Sequence, residues 1–137
     1  MLTSRITATV GLALISLALP LTALATPEVK TQDKVSYLTG GVGSDERAAI
    51  RSMAKQFNLE VAIATKKGHF LGDGAVHIED VQGHTVLQAN MDGPLFYVQL
   101  EPGTYTVSIS RDGKAQQRTV EVAGSGQKSV LFRWNSD

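Results

Sequence analysis

Leu100-Glu101-Pro102-Gly103-Thr104-Tyr105-Thr106-Val107 is the stretch that decides the fold. Pro102 pre-sets φ at one central turn position and Gly103 accepts the positive φ often required at the next, so the pair reads as a turn. From Gly103 to Ser110, Tyr105, Val107 and Ile109 alternate with Thr104, Thr106 and Ser108. That period of two belongs to a strand with one face buried and one wet. Leu100 arrives on one strand and Tyr105 leaves on the next. The corner is expected to pin both strands to one core, with Leu100, Pro102, Gly103, Tyr105 and Val107 as its structural residues.

Downstream, Asp112-Gly113 is a two-residue hairpin signal between Thr104–Arg111 and Lys114–Val122. Gly124-Ser125-Gly126 turns the chain into Lys128–Trp134, where Val130, Phe132 and Trp134 share a face. Upstream, Leu95–Leu100 reads as a strand after the turn cluster Asn90-Met91-Asp92-Gly93-Pro94. Ala75–Glu79 and His84–Ala89 read as a hairpin tipped by Gln82-Gly83, with Val76, Ile78 and Val86 facing inward. Leu59–Thr65 alternates Leu59, Val61 and Ile63 against Glu60, Ala62 and Ala64. Before it, Ser44 is an N-cap candidate, Asp45 and Glu46 put negative charge in a first turn, and Ile50, Met53, Ala54 and Phe57 recur at helical spacing. About seven short strands at regular spacing, preceded by one short amphipathic helix, predict a mostly β, antiparallel sandwich.

The N-terminus reads as a secretory signal. Arg5 supplies the positive region, Ile6–Leu19 the apolar region, and Ala23-Leu24-Ala25 a small-x-small cleavage site before Thr26. The apolar run is short of the roughly 20 residues a spanning helix needs and contains Thr7, Thr9 and Ser16. Residues 1–25 are therefore expected to be a cleaved leader, 26–43 a polar linker, 44–134 the sandwich with its helix, and 135–137 a tail. The expected location is the periplasm or the extracellular space, with no membrane anchor after cleavage. The chain has no cysteine, which excludes a thiolate nucleophile, a disulfide framework and a lipid-modified cysteine. It carries 13 basic and 13 acidic residues, and loss of Arg5 leaves the mature chain at −1. No global field draws it to nucleic acid.

Four segments resemble the carboxypeptidase regulatory-like domain, a prealbumin-like, Ig-like sandwich. They are Gly68–Ile78 (GHFLGDGAVHI), Asp80-Val81-Gln82-Gly83, Asp92-Gly93-Pro94-Leu95-Phe96 and Leu100–Val107 (LEPGTYTV). The match runs from Gly68 to about Val122. The whole mature chain, with its helix first and Phe132-Arg133-Trp134 last, is also similar to small exported proteins of Gram-negative bacteria that carry this domain alone. The resemblance implies an accessory or binding module without a catalytic site or cofactor, and here no peptidase domain accompanies it. A related prealbumin-like branch hydrolyses hydroxyisourate and ends Tyr-Arg-Gly-Ser; this chain ends Phe132-Arg133-Trp134-Asn135-Ser136-Asp137.

Residue chemistry leaves two function classes. The first is a non-enzymatic module that recognises a periplasmic protein or glycan through its loops. Lys66, Lys67, His69 and Phe70 are the candidate contacts, because two cations and an aromatic beside Gly68 exceed what a merely solvated turn requires. The second is a small enzyme or metal carrier. Its weak candidate site is His77, His84 and Glu79, which meet if the hairpin register puts both imidazoles on one outer face. Asp73, Asp80 and Asp92 flank turns, where aspartate is favoured for local hydrogen bonding. Trp134 and Tyr105 fall on inner positions and read as core. Gly40-Gly41-Val42-Gly43 lacks the Lys-Ser/Thr of a phosphate loop and reads as a hinge.

Overall fold

The computed structural model describes residues 27–135, together with Gly11 and residues 13–16. The cleavage site and most of the leader therefore lie outside the described residues. Among the described residues, no helix is long and apolar enough to cross a membrane.

Two sheets face each other. One has the order β1 (Lys30–Gln32), β2 (Val35–Gly40), β6 (Leu95–Val98), β3 (Leu59–Thr65), β9 (Lys128–Trp134). The other has the order β5 (Thr85–Met91), β4 (Gly74–Asp80), β7 (Gly103–Arg111), β8 (Lys114–Val122). Between them Leu59, Val61, Ile63, Phe96, Val98 and Phe132 meet Val76, Ile78, Leu87, Val107 and Ile109, all fully buried. Burying such side chains stabilises by about 1.5–3 kcal/mol each.

The five-stranded sheet is buried on its other face as well. Helix α1 (Ser44–Met53) and a 3₁₀ turn (Ala54–Gln56) lay Ile50, Ala54 and Phe57 over Leu38, Ala62, Leu95 and Tyr97. This explains why Leu95-Phe96-Tyr97-Val98 is buried at every position: odd residues meet the helix and even ones the sandwich core.

Several expectations need correction. Among the described residues there are nine strands rather than about seven, because residues 30–40, read as part of a polar linker, form a hairpin in the five-stranded sheet. The sandwich unit thus begins before residue 44. The sheets are not wholly antiparallel, since β9 runs parallel to β3 from Leu59↔Lys128 to Thr65↔Trp134. Ser44 is the first helical residue and not the cap; Gly43 holds the cap position at φ 85° with no side-chain bond. Glu46 Oε1 instead accepts from Gly41 N–H at 3.0 Å, and the Arg47 guanidinium donates to the Gly41 carbonyl at 3.1 Å. Those bonds tie down the segment read as a hinge. In the β4–β5 hairpin the inward residue opposite Ile78 is Leu87, while Val86 is half-buried beside a bulge at Ile78/Glu79.

The corner behaves as its residues require. Tyr105 is 9% exposed, and its hydroxyl donates to the Glu101 carbonyl at 2.7 Å, four residues upstream. This is the tyrosine corner that sandwiches use to fix a strand start. Buried Asn58, after the 3₁₀ turn, completes the joint: Nδ2 donates to the Leu100 carbonyl at 2.6 Å and Oδ1 accepts from Leu100 N–H at 2.9 Å. In sequence Asn58 reads only as a helix stop. Gln127 Nε2 donates to the carbonyls of Ala54 (2.8 Å) and Phe57 (3.1 Å), tying the segment before β9 to the end of the helical layer.

Candidate functional site

The corner residues are structural in position: Leu100, Tyr105 and Val107 are buried, Pro102 lies in the bend before β7, and Gly103, read as the second turn residue, is instead the first residue of that strand and is not at positive φ. The functional candidates lie on three other surfaces.

The histidines do not converge. His77 Nε2 lies 2.9 Å from Thr85 Oγ1 and its Nδ1 3.6 Å from Glu79. His84 sits at the hairpin tip with Nδ1 3.5 Å from Asp80. The hairpin pairs His77 with Gln88, so His84 falls beyond the end of the ladder and takes a different carboxylate. Among the described residues no group of three or more His, Cys, Asp or Glu gathers as a metal would need. The His77, His84, Glu79 site is therefore not assembled. Asp80 instead closes the hairpin tip, where its Oδ1 accepts from Gln82 N–H and His84 N–H, both at 2.9 Å. These bonds, the one from His84 foremost, hold its carboxyl below the ordinary aspartate range.

The Lys66–Phe70 segment is an ordered turn. Gly68 adopts φ 89° and donates to the Thr65 carbonyl at 2.9 Å, while Thr65 N–H donates to the His69 carbonyl at 2.7 Å. Phe70 bridges to Ala64, and Leu71 N–H donates to the Ile63 carbonyl, so the chain folds back beside β3 where β6 has ended. Phe70 is 42% exposed, with the Arg47 guanidinium 5.4 Å from its ring centroid. Lys66, Lys67 and His69 are exposed and make no ion pair among the described residues.

Lys66 has a second setting that its neighbours in sequence do not reveal. Its N–H donates to the Trp134 carbonyl at 3.2 Å, which attaches the turn to the end of β9. There, at the edge strands β8 and β9 of the two sheets, lies a cleft of about 550 Å³ lined by Lys66, Lys114, Gln116, Arg133, Trp134 and Asn135. Lys114 and Arg133 are exposed and, like Lys66, have no ion-pair partner among the described residues.

The register explains the polar lining. Gln116 and Arg118 stand opposite Ile109 and Val107, inward positions where the pattern calls for apolar residues. They close the open side of the sandwich instead. Gln116 Nε2 donates to the Arg133 carbonyl at 2.7 Å, and the Arg118 guanidinium stands 5.7 Å from the Phe132 ring centroid. Inward polar residues on an edge strand discourage further strand addition. Trp134 is 4% exposed, and its indole N–H has no hydrogen-bond partner among the described residues. A buried donor of this kind is uncommon in folded proteins.

At the opposite end, a groove of about 350 Å³ runs past Asp33, Lys34, Asp80, Glu101 and Tyr105. Its charges are mixed and its floor is the tyrosine corner, so its geometry belongs to the fold. A scan against protein-family models and a search of curated proteins each return no match for the chain.

Proposed function

We propose that the chain is an exported, non-enzymatic binding module of the carboxypeptidase regulatory-like, prealbumin-like and Ig-like type, which recognises a periplasmic protein or glycan through its basic end. The observation that carries this reading is the meeting of Lys66 with Lys114 and Arg133 around one cleft, three cations with no acidic partner among the described residues. Lys67, His69 and Phe70 extend the same end along the adjoining turn. Like charges held together on one scaffold repel one another, and an anionic partner relieves that repulsion. The two-sheet architecture and the bond from Tyr105 to Glu101 support the fold-type reading.

The test is a crosslinking pull-down from periplasm, comparing the wild type with a Lys66→Ala, Lys67→Ala, His69→Ala variant that keeps Phe70 and melts at the wild-type temperature. Loss of the recovered partner is expected. Unchanged recovery removes the turn from the recognition surface, and substrate turnover by the wild type overturns the non-enzymatic reading.

A further inference from the structure

The lining of the cleft says more than that its ligand is anionic. The cleft is open to solvent, and its volume of about 550 Å³ exceeds what a single inorganic oxyanion fills. The cations are also not alone. Gln116 uses its Nε2 on the Arg133 carbonyl, which leaves Oε1 as a hydrogen-bond acceptor, and Asn135 adds a carboxamide with both donors and an acceptor. Lysine and arginine offer donors only, so the carboxamides suit a ligand that donates as well as accepts, as hydroxyl groups do. Phe132 and Trp134 take the inward face of β9, so Arg133 offers the cleft its backbone carbonyl, and the Lys66 and Lys114 ammonium groups act as the point charges for a carboxylate.

We propose that the cleft binds an acidic saccharide, a sugar whose carboxylate meets Lys66 and Lys114 while its hydroxyls bond to Gln116 and Asn135. This rests on the binding-module reading and narrows its ligand to one class. The indole of Trp134 is buried beneath the cleft, with its N–H sealed from solvent.

Trp134 is the only tryptophan in the chain, so intrinsic fluorescence reports on this site alone. The experiment titrates the folded protein with trigalacturonate, with a neutral galactose trisaccharide and with inorganic phosphate, at low salt and at high salt. Trigalacturonate is expected to shift Trp134 emission saturably, with affinity falling as salt rises. Lys66→Ala and Lys114→Ala are each expected to weaken binding by about tenfold or more, the loss of one charge-assisted hydrogen bond. Lys34→Ala, at the far end of the sandwich, is expected to leave affinity unchanged, and melting temperatures confirm that each variant is folded. Equal binding of the neutral trisaccharide removes the carboxylate, and an equal response to phosphate removes the sugar; either result overturns the proposal. No saturable response to trigalacturonate overturns it too. If that happens while the Lys66, Lys67, His69 variant still loses its partner in the pull-down, the ligand class falls and the binding-module reading stands.

Discussion

The side chain of Asn58 pairs with the backbone of Leu100 as if it were a neighbouring strand, giving one bond of 2.6 Å to the carbonyl and taking one of 2.9 Å from the N–H. It joins the end of the helical layer to the corner from which β7 starts, across 42 residues of sequence. Leu100 is buried, so its backbone groups depend on the Asn58 carboxamide for their bonds. Asn58→Ala is expected to cost about 2–4 kcal/mol, because two buried backbone groups lose their partners at once. Urea unfolding measures this, and a loss below about 1 kcal/mol means that the clamp is replaceable by water.

Tyr105 separates into two contributions. Tyr105→Phe keeps the ring and loses the bond to Glu101, an expected cost of about 1 kcal/mol. Tyr105→Ala also opens a cavity at the corner, an expected cost of about 3–5 kcal/mol. Equal costs for the two variants in urea unfolding mean that the ring contributes nothing to packing.

High pH is expected to unfold the protein through its buried phenols. Burial raises the Tyr97 pKa, with the nearby Glu60 carboxylate, which accepts from the Tyr97 hydroxyl at 2.6 Å, adding to the shift; burial likewise raises that of Tyr105. The raised folded-state values mean that the contribution to stability is fully present below pH about 10, where unfolded tyrosine also stays neutral, and is lost as pH rises beyond it. Denaturation midpoints should fall above pH 10, less steeply in Tyr97→Phe. A midpoint that is flat through this range contradicts the burial of both hydroxyls.

Gly93 is expected to tolerate no side chain. A Cβ there would lie 2.4 Å from the carbonyl carbon and oxygen of Gly40, backbone atoms of the adjoining β2. Gly93→Ala should cost at least about 2 kcal/mol by overpacking, measured as a lowered unfolding midpoint.

Local signals made part of this structure legible. Pro102-Gly103, Asp112-Gly113 and the alternation through Ile109 are contiguous in sequence, and the strands on either side of Asp112-Gly113 appear within one residue of their reading, while the strand read as Leu95–Leu100 ends at Val98. The β1–β2 hairpin was not legible, because its turn places Asp33 and Lys34 at φ 48° and 69° without the glycine that usually announces such a turn. The direction of β9 was not legible either, since Val130, Phe132 and Trp134 alternate identically beside a parallel or an antiparallel neighbour. At the candidate site, Lys66 stood out through its local composition. Lys114, Gln116 and Arg133 did not, because the cleft draws on three segments that only the meeting of β8 and β9 with the Lys66 turn brings together. Gln116 and Arg118 also break the inward apolar pattern, which reads in sequence as a weak strand and in the fold as a cover for an open edge.

Recognition at the basic end is tested most directly by photo-crosslinking in the cells that make the protein. A benzophenone side chain is placed in the full chain at position 67, in the Lys66–Phe70 turn, or at position 81, where Val81 is 77% exposed at the opposite end of the sandwich. Benzophenone inserts into C–H bonds of protein and glycan alike, so either class of ligand yields a slower-migrating adduct. Adducts at position 67 and none at position 81 are expected; adducts at 81 alone, or at neither position, contradict recognition through the Lys66, Lys114 and Arg133 surface.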